Sequence, residues 1–318
     1  MSDLVEVAKK ILLENRRAGY TLPTNNKLYP AQWNWDSAFI SLGYSYFNLD
    51  YAIQELETLL KGQWDDGMVP HILFHEVDDS YFPNHTTWSC GKEIPSSGIT
   101  QPPIAASILR IIVKNNSLDE TQNKKVFNLV CKLKKYHEWF FKNRDQNQSG
   151  LISIIHPWES GYDNSPLWDF ALSKINVDKN LSYERRDLKV SNNDERPLNK
   201  DYDCYITLLN QFKSDNYNPN KLLNNSMFNI IDIGFNSIFL KANKDLIELL
   251  KLFKLDYLDL EEKIKKTENK IFDLYNEKEK MFFSFDLKNN EEIKIPSLTN
   301  FLILFADLNL DDVNTKII

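Results

Sequence analysis

The sequence predicts an all-α protein with long loops, and three observations lead to that fold class. Apolar residues recur at a helical period of about 3.6 along most of the 318 residues. Alternation of apolar and polar residues, the pattern of a half-buried strand, is scarce. Two connections, 62–100 and 143–166, far exceed the usual ~4–6 residues and hold four of the five histidines. Because long ordered loops in a compact helical domain are usually functional, we expect these loops to build a site.

The first helix is predicted to begin at Ser2 and to continue until Gly19, with apolar residues at Leu4, Val5, Ala8, Ile11 and Leu12. The same periodicity predicts further helices at 36–47, 51–61, 102–115, 125–143, 203–213, 226–253, 258–278 and 297–308. Ser117 and Glu120, ahead of the helix at 125–143, have the spacing of a capping box. The best strand signal is 281–295, which predicts a small β-hairpin that turns at Asn289 and Asn290.

The composition is that of an ordinary globular protein, with 42% hydrophobic and 26% charged residues. The net charge of −7 argues against a nucleic-acid partner, and the basic run KIKKTENK lies within an acidic helix as a solvated face. No stretch approaches the roughly 20 apolar residues that span a bilayer, and the N-terminus lacks the apolar core of a secretion signal. Cys90, Cys131 and Cys204 lie far apart, as free thiols in a reducing compartment would. We therefore expect a cytoplasmic protein without a membrane partner.

Two motifs allow a metal site but favour a simpler interpretation. His71 and His75 in HILFHE have the spacing of zinc ligands on a helix, yet Val69-Pro70 and the apolar residues between them indicate extended chain. DQNQSG (145–150) resembles the first half of a calcium loop, but position twelve is His156 where a glutamate is needed. We expect a loop histidine in the first motif and a turn in the second, with no metal.

The stretch HPWESGYDNSPLWD (156–169) concentrates acids, aromatic rings and turn residues. Glu159 and Asp163 would be neighbours on a helix, but the prolines and Gly161 exclude one, and Ser165 is placed to cap the next helix. A capping loop is one interpretation. The other is a sugar site, in which Trp158 stacks on the apolar face of the sugar and polar groups bind its hydroxyls. Similar mixtures in PAQWNWDSAF (30–39) and GQWDDGMVPH (62–71) favour the sugar site.

A sugar site that cleaves a glycosidic bond needs two carboxyl groups. One is protonated and donates to the leaving oxygen, and the other is ionised and either activates water or attacks the sugar. Burial beside tryptophan would raise the pKa of a carboxyl group, as the acid requires.

Six stretches occur in the order of a known family and span almost the whole chain: YPAQWNWDSAF (29–39), GMVPH (67–71), YFP (81–83), SSGITQPPIAA (96–106), HPWESGYDNSPLWD (156–169) and ERPLNKDYDCY (195–205). By these residues the chain resembles glycoside hydrolase family 63, and within it the bacterial mannosylglycerate and glucosylglycerate hydrolases. The resemblance implies an (α/α)6 barrel that inverts the anomeric centre of an α-glycoside of glycerate, without a cofactor.

The resemblance also implies the site residues. Asp163 matches the general acid. The glycosyl pocket is matched by Trp35, Asp36, His71, Gln101 and Trp158. The positions that hold the small acid aglycone are matched by Tyr29, Tyr81, Arg196 and Tyr202. A guanidinium fork on a carboxylate would select glycerate over a neutral leaving group.

One feature departs from the family. Its general base is a glutamate downstream of anything in this chain, and the helical pattern that restarts at NLDDVNTKII (309–318) stops within an element. We therefore expect a single catalytic domain over residues 1–318 that lacks the last helices. Such a chain would self-associate or bind a complementing C-terminal segment through exposed apolar faces. The alternative functions are a catalytically incomplete carbohydrate-binding fragment and one half of a split glycosidase.

Overall fold

The computed structural model describes residues 2–24, 28–189, 191, 194 and 196–308, and most regular structure in them is helical. The all-α class is therefore confirmed. The helices described are α1 Ser2–Asn15, α2 Asn34–Ser45, α3 Leu49–Lys61, α4 His85–Trp88, α5 Ala105–Asn115, α6 Glu120–Asn143, α7 Asp169–Ser173, α8 Asn199–Ser214, α9 Pro219–Asn225, α10 Ile233–Leu252 and α11 Leu258–Lys270. The short strands are β1 Gln32–Trp33, β2 Ile72–Leu73, β3 Cys90–Gly91, β4 Pro95–Ser96, β5 Ser153–Ile154, β6 Ile230–Ile231, β7 Tyr275–Asn276, β8 Met281–Phe282, β9 Ser284–Asp286 and β10 Glu291–Ile293.

The chain divides into two compact units. The first comprises Met1–Tyr136 and Asn180–Leu198, and the second comprises His137–Lys179 and Asn199–Ile318. The single catalytic domain expected from the sequence stays a prediction.

In the first unit, α2 packs against α1, α3 and α5. The strands of this unit form an antiparallel sheet in the order β1-β2-β4-β3, with Gln32 opposite Leu73 and Trp33 opposite Ile72. The two-residue strand β1 leads directly into α2 at Asn34. The pairing with β2 therefore fixes the start of the helix that carries Trp35 and Asp36.

In the second unit, α10 packs against α11 and against a 3₁₀ segment, Leu298–Ala306. The larger sheet has the order β10-β9-β6-β5, and β7 pairs with β8. The predicted hairpin is confirmed in β9 and β10, which are joined at a turn where Asn290 has a φ of +51°.

The helix predicted at 226–253 is wrong in its first part. Ile230 and Ile231 form strand β6, which pairs with both β5 and β9, and Asp232 caps the start of α10. The helix predicted at 258–278 is too long, since α11 ends at Lys270 and the chain continues into a 3₁₀ turn and β7. The predicted capping box of α6 is also wrong. Asp119 accepts from the backbone N–H of Gln122 at 2.8 Å, and the Gln122 side chain accepts from the N–H of Asp119 at 3.2 Å.

Helix α1 begins at Ser2 as predicted but ends at Asn15 rather than near Gly19, and much of its apolar surface lies in solvent. Leu4 is 75% exposed, and Val5, Val7 and Ile11 are each about half exposed. In the second unit, Leu298 is 87% exposed. Apolar residues exposed together on one element are typical of an interaction surface. The segment 309–318, where the helical pattern restarts, lies outside the described residues.

Two further observations concern the whole described chain. The cysteines Cys90, Cys131 and Cys204 are free, as predicted. Within the described ranges, no helix is long and apolar enough to cross a membrane.

Candidate functional site

In the first unit, three of the expected site residues surround the indole of Trp33. The rings of Tyr29, His71 and Tyr81 meet this indole edge-on, with centroids 5.0, 6.4 and 5.5 Å away. Trp33 is buried in β1, and the backbone carbonyl of His71 accepts from the N–H of Asn34 at 3.0 Å. The sheet thus brings these residues together from three loops.

Arg196 joins this cluster through Tyr29 and belongs to a network of two arginines and one acid. Its Nη1 donates to the Tyr29 hydroxyl at 3.3 Å, and its Nε donates to Asp187 at 2.9 Å. Arg185 donates to both oxygens of the same carboxylate, at 3.1 and 2.7 Å. Burial alone would raise the pKa of Asp187, but the hydrogen bonds and charges of Arg185 and Arg196 together lower it. Two guanidinium groups and one ionised carboxylate leave this network with a net charge of +1.

The first turn of α2 carries Trp35 and Asp36, both half-buried. The side-chain oxygen of Gln101 accepts from the backbone N–H of Trp35 at 3.2 Å, so Gln101 satisfies one of the unpaired donors at this helix start. Burial raises the pKa of Asp36 to about 6, although the hydrogen bond from its own backbone N–H lowers the pKa in part. Trp35 packs against the exposed ring of Phe39, with centroids 6.1 Å apart.

In the second unit, Trp158 lies against Tyr202, Tyr205 and His156, with ring centroids 6.1, 5.4 and 4.5 Å away. His156 accepts from the backbone N–H of Trp158 through Nδ1, and its Nε2 donates to the carbonyl of Tyr205 at 3.2 Å. Burial lowers the pKa of His156 to about 3, so the imidazole is neutral. Trp158 is therefore fixed in orientation by a neutral, buried histidine.

Asp163 lies between two 3₁₀ turns, Pro157–Ser160 and Pro166–Trp168, and is half-buried. Its backbone carbonyl accepts from the Tyr205 hydroxyl at 3.0 Å. Ser165 caps the second turn as predicted, with Pro166 at the first position, although this turn is 3₁₀ and leads into the short helix α7.

Glu159 is a buried partner of Arg144. The Arg144 Nη2 donates to Glu159 Oε1 at 3.0 Å, both side chains are 1% exposed, and the N–H of Ile155 donates to Oε2 at 2.9 Å. The helix on which Glu159 and Asp163 would pair is absent here, because Gly161 has a φ of +82° and ends the 3₁₀ turn. The contacts of Glu159 are those of a structural ion pair.

The two metal-like motifs form the simpler structures. His71 and His75 flank the strand β2, and His75 Nε2 lies 2.7 Å from the Gln32 side-chain oxygen. Asp145 uses both carboxylate oxygens for its own turn, accepting from the backbone N–H groups of Ser149 and Gly150 at 2.7 Å. Over the ranges that the structure describes, no three His, Cys, Asp or Glu side chains come together as metal ligands do.

Sequence reasoning missed Trp33 and Asp187. Trp33 stands two residues before Trp35 in QWNW, and no local pattern distinguishes the buried indole of β1 from the half-buried one of α2. Asp187 follows two arginines in ERRD, a run that sequence alone assigns to solvent. Only the fold shows that the carboxylate is shared between Arg185 and Arg196.

Comparisons with known proteins agree with these features. The chain is 41% identical over 304 residues to the mannosylglycerate hydrolase of Thermus thermophilus, covering 94% of this chain and 72% of the relative. It is 33% identical over 248 residues to the glucosylglycerate hydrolase of Mycolicibacterium hassiacum, covering 74% of this chain and 56% of the relative.

The fold agrees with a solved structure as well. The crystal structure of the GH63 mannosylglycerate hydrolase from Thermus thermophilus in complex with Tris and D-glycerate superposes with a TM-score of 0.94 at 40% identity. The match covers 98% of this chain and 75% of that one, and the fold is of the (α/α)6 type expected from the sequence. The family model for the mannosylglycerate hydrolase MGH1-like glycoside hydrolase domain matches residues 29–317. The chain therefore belongs to the MGH1-like glycoside hydrolases of glycoside hydrolase family 63.

Proposed function

We propose that this protein hydrolyses the glycosidic bond of an α-linked glycosylglycerate, glucosylglycerate or mannosylglycerate, to a free sugar and glycerate with inversion. The observation that carries the proposal is the identity of 41% to a mannosylglycerate hydrolase over 94% of the chain. The charge and the rings around Arg196 in the first unit support it, because they suit a small organic acid.

We propose Asp163 as the general acid that protonates the glycosidic oxygen. Its carbonyl is held by the Tyr205 hydroxyl, while the side chain stays half-buried. In an inverting reaction, a second carboxylate removes a proton from a water molecule, which attacks the anomeric carbon from the opposite face. In the same unit, Trp158 is proposed to bind the sugar, and Tyr202, whose ring lies 6.1 Å from that of Trp158, is proposed to bind the aglycone.

Glycerate recognition is assigned to Arg196, Tyr29 and Tyr81. The network of Arg185, Asp187 and Arg196 retains a net charge of +1, so an incoming carboxylate would be attracted to it. The phenols of Tyr29 and Tyr81, both packed on Trp33, would bind the hydroxyls of glycerate.

Recognition of the glycosyl unit is assigned to Trp35, Asp36, His71 and Gln101. An aspartate with a pKa of about 6 is largely ionised at neutral pH and accepts hydrogen bonds from sugar hydroxyls. Trp35 offers an apolar face for the ring of the sugar. No metal or cofactor has a role in this proposal.

A complementing polypeptide segment is proposed to supply the general base. The proposal is supported by the apolar side chains of α1 and of Leu298–Ala306 that lie in solvent. The same exposed surfaces favour the second candidate function, a chain that binds the glycoside without turnover until it is complemented. We propose the cytoplasm as its location, since three free cysteines suit a reducing compartment.

The proposal is tested by measuring binding and turnover separately. Calorimetry should detect binding of mannosylglycerate or glucosylglycerate to the chain alone. For turnover, the part of the Thermus thermophilus relative that this chain does not match is added as a separate polypeptide. Proton NMR should then detect the β-anomer of the released sugar before the α-anomer. Absence of binding to both glycosides would contradict the function, and an α-anomer formed first would contradict inversion.

Substitutions identify the acid in the same assay. Asp163→Asn should abolish turnover and retain binding, because the amide keeps the shape of the carboxyl but cannot donate an acidic proton. Asp169→Asn, an exposed acid six residues later in the same unit, is the matched control and should leave turnover unchanged. Turnover by the chain without the added segment would rule out complementation.

A further inference from the structure

The loop that carries Asp163 depends on side-chain contacts for its position. Residues 161–165 contain no helix or strand, and Gly161 ends the preceding turn in the left-handed region, at a φ of +82°. A general acid has to be held close to its productive geometry, and misplacement by about 1 Å can cost on the order of 100-fold in rate. The groups that fix this loop are therefore important for the reaction.

Tyr162, the residue before Asp163, is anchored at both of its ends. Its hydroxyl donates to Asp232 Oδ2, and its ring stacks on the indole of Trp168 with centroids 5.8 Å apart and planes at 17°. Its backbone carbonyl accepts from the Trp168 Nε1 at 3.1 Å. Because the phenol is rigid and the peptide bond to Asp163 is planar, an anchor on the hydroxyl also restricts the Cα of Asp163.

Asp232 is a fixed acceptor for that hydroxyl. It is fully buried at the start of α10, where Oδ2 also accepts from the N–H of Phe235 at 2.7 Å and Oδ1 accepts from the Ser284 hydroxyl at 2.8 Å. Ser284 belongs to β9, so the carboxylate is held by a helix start and a strand. Three donors on one carboxylate leave it little freedom to turn away from Tyr162.

Gly234 provides the room for this contact. A Cβ at position 234 would stand 2.5 Å from the Tyr162 hydroxyl oxygen and 3.1 Å from Leu302 Cδ1. An alanine there would force the hydroxyl away from Asp232, because the helix start cannot shift without losing its cap. The approach of Tyr162 to Asp232 thus requires a glycine.

We infer that Tyr162 and Asp232 are positioning residues for the general acid, with Gly234 as the residue that lets them meet. Tyr205 holds the carbonyl of Asp163, and Tyr162 holds the residue before it. The two anchors together restrict the backbone on both sides of the Asp163 Cα. This inference rests on the proposed role of Asp163.

The test compares Tyr162→Phe, Gly234→Ala, the double variant and Tyr257→Phe. Tyr162→Phe removes one oxygen and keeps the ring on Trp168. Tyr257→Phe removes the same atom elsewhere in the unit, where the ring lies under Lys251. Two quantities are measured: the chemical shift of the Asp163 carboxyl ¹³C resonance, assigned as the one that Asp163→Asn removes, and kcat and KM for the complemented protein.

Tyr162→Phe should lower kcat at least about tenfold with KM nearly unchanged, since the acid is displaced while the binding groups stay in place. The carboxyl ¹³C chemical shift of Asp163 should change, because the loop that carries this side chain loses an anchor. Gly234→Ala should also lower kcat. In the double variant it should cause no further loss of kcat, because Tyr162→Phe has already removed the hydroxyl that the alanine would displace. Tyr257→Phe should change neither quantity.

An unchanged Asp163 carboxyl resonance in Tyr162→Phe would overturn the inference, and so would additive effects of the two substitutions on kcat. Equal thermal midpoints of the variants confirm that the fold is intact. Should the complemented native protein show no turnover, the proposed function fails, while the Asp163 carboxyl resonance still decides whether Tyr162 positions Asp163.

Discussion

Glu55 and His75 are linked through the side-chain amide of Gln32. The amide nitrogen donates to Glu55 Oε1 at 3.1 Å, and the amide oxygen lies 2.7 Å from His75 Nε2, which must therefore carry the proton. Glu55 is fully buried and also accepts from the Ser37 hydroxyl, at 2.8 Å, and from the Thr21 hydroxyl, at 2.9 Å. The carboxyl group of this α3 residue thus joins the chain after α1, strand β1 and helix α2.

The first prediction concerns the pH dependence of stability. Burial raises the pKa of Glu55 from 4.5 to about 7, although the hydrogen bonds from Ser37, Thr21 and Gln32 act to lower it. The folded state then binds more protons than the unfolded chain between those values, so the contribution to the free energy of unfolding falls as pH rises through this window. Glu55→Gln should remove that fall, on the order of 3 kcal/mol.

Urea unfolding of both proteins from pH 4 to 8 measures this difference. His75 has the opposite slope, because burial lowers its pKa from 6.5 to about 4, and it contributes equally to both proteins. Glu57→Gln, on the same helix but partly exposed beside Lys125, is the control and should leave the curve unchanged. A Glu55→Gln curve parallel to that of the native protein would contradict the assignment.

The second prediction concerns Glu159. Glu159→Gln should destabilise the protein by about 3–5 kcal/mol, because it leaves the buried Arg144 charge without a partner. Denaturant unfolding measures the loss. Asp273→Asn, which breaks an exposed pair with Lys270, should have little effect. If Glu159→Gln and Asp273→Asn lost similar amounts of unfolding free energy, water would have to reach Arg144 and the prediction would be wrong.

The third prediction separates recognition of the acid from recognition of the sugar. Arg196→Lys should weaken binding of a glycosylglycerate at least about tenfold, since an ammonium cannot bind both Asp187 and a carboxylate as a guanidinium fork does. Binding of glucose should not change. Arg186→Lys, ten residues earlier and paired with the exposed Glu184, is the control. An equal loss for glucose would exclude a specific role in glycerate recognition.

The fourth prediction tests the start of α6. Asp119→Ala should cost about 1 kcal/mol of unfolding free energy, because it removes the acceptor for the N–H of Gln122. Ser117→Ala should cost much less. Thermal unfolding of the two variants decides between the two caps. A larger loss of stability from Ser117→Ala would support the capping box of Ser117 and Glu120 that the sequence predicts.

Periodicity predicted α2, α3, α5 and α8 within a few residues of their bounds, because their buried faces repeat at the helical period. It failed at 226–232, where Phe228, Ile230 and Ile231 fit either a helix or a strand. Pairing with β5 and β9, which lie far away in sequence, decides between the two structures. No local pattern contains that information.

The sequence predicted the residues of the candidate site better than the contacts that support them. The resemblance named Tyr29, His71, Tyr81 and Arg196, and the structure brings all four to or beside Trp33. The roles of these residues stay predictions. The supporting network around Asp187 could not be predicted, because shared ion pairs form between segments whose approach is set by the fold.

The Arg144–Glu159 pair also limits how this sequence can change over generations. Either residue replaced alone leaves a buried charge unpaired, so descendants that lose one partner would be eliminated before the other could vary. Replacement of both by apolar residues of similar volume can be tolerated, but that path requires two substitutions at once. Drift in this lineage is therefore expected to keep both residues together or to lose them together.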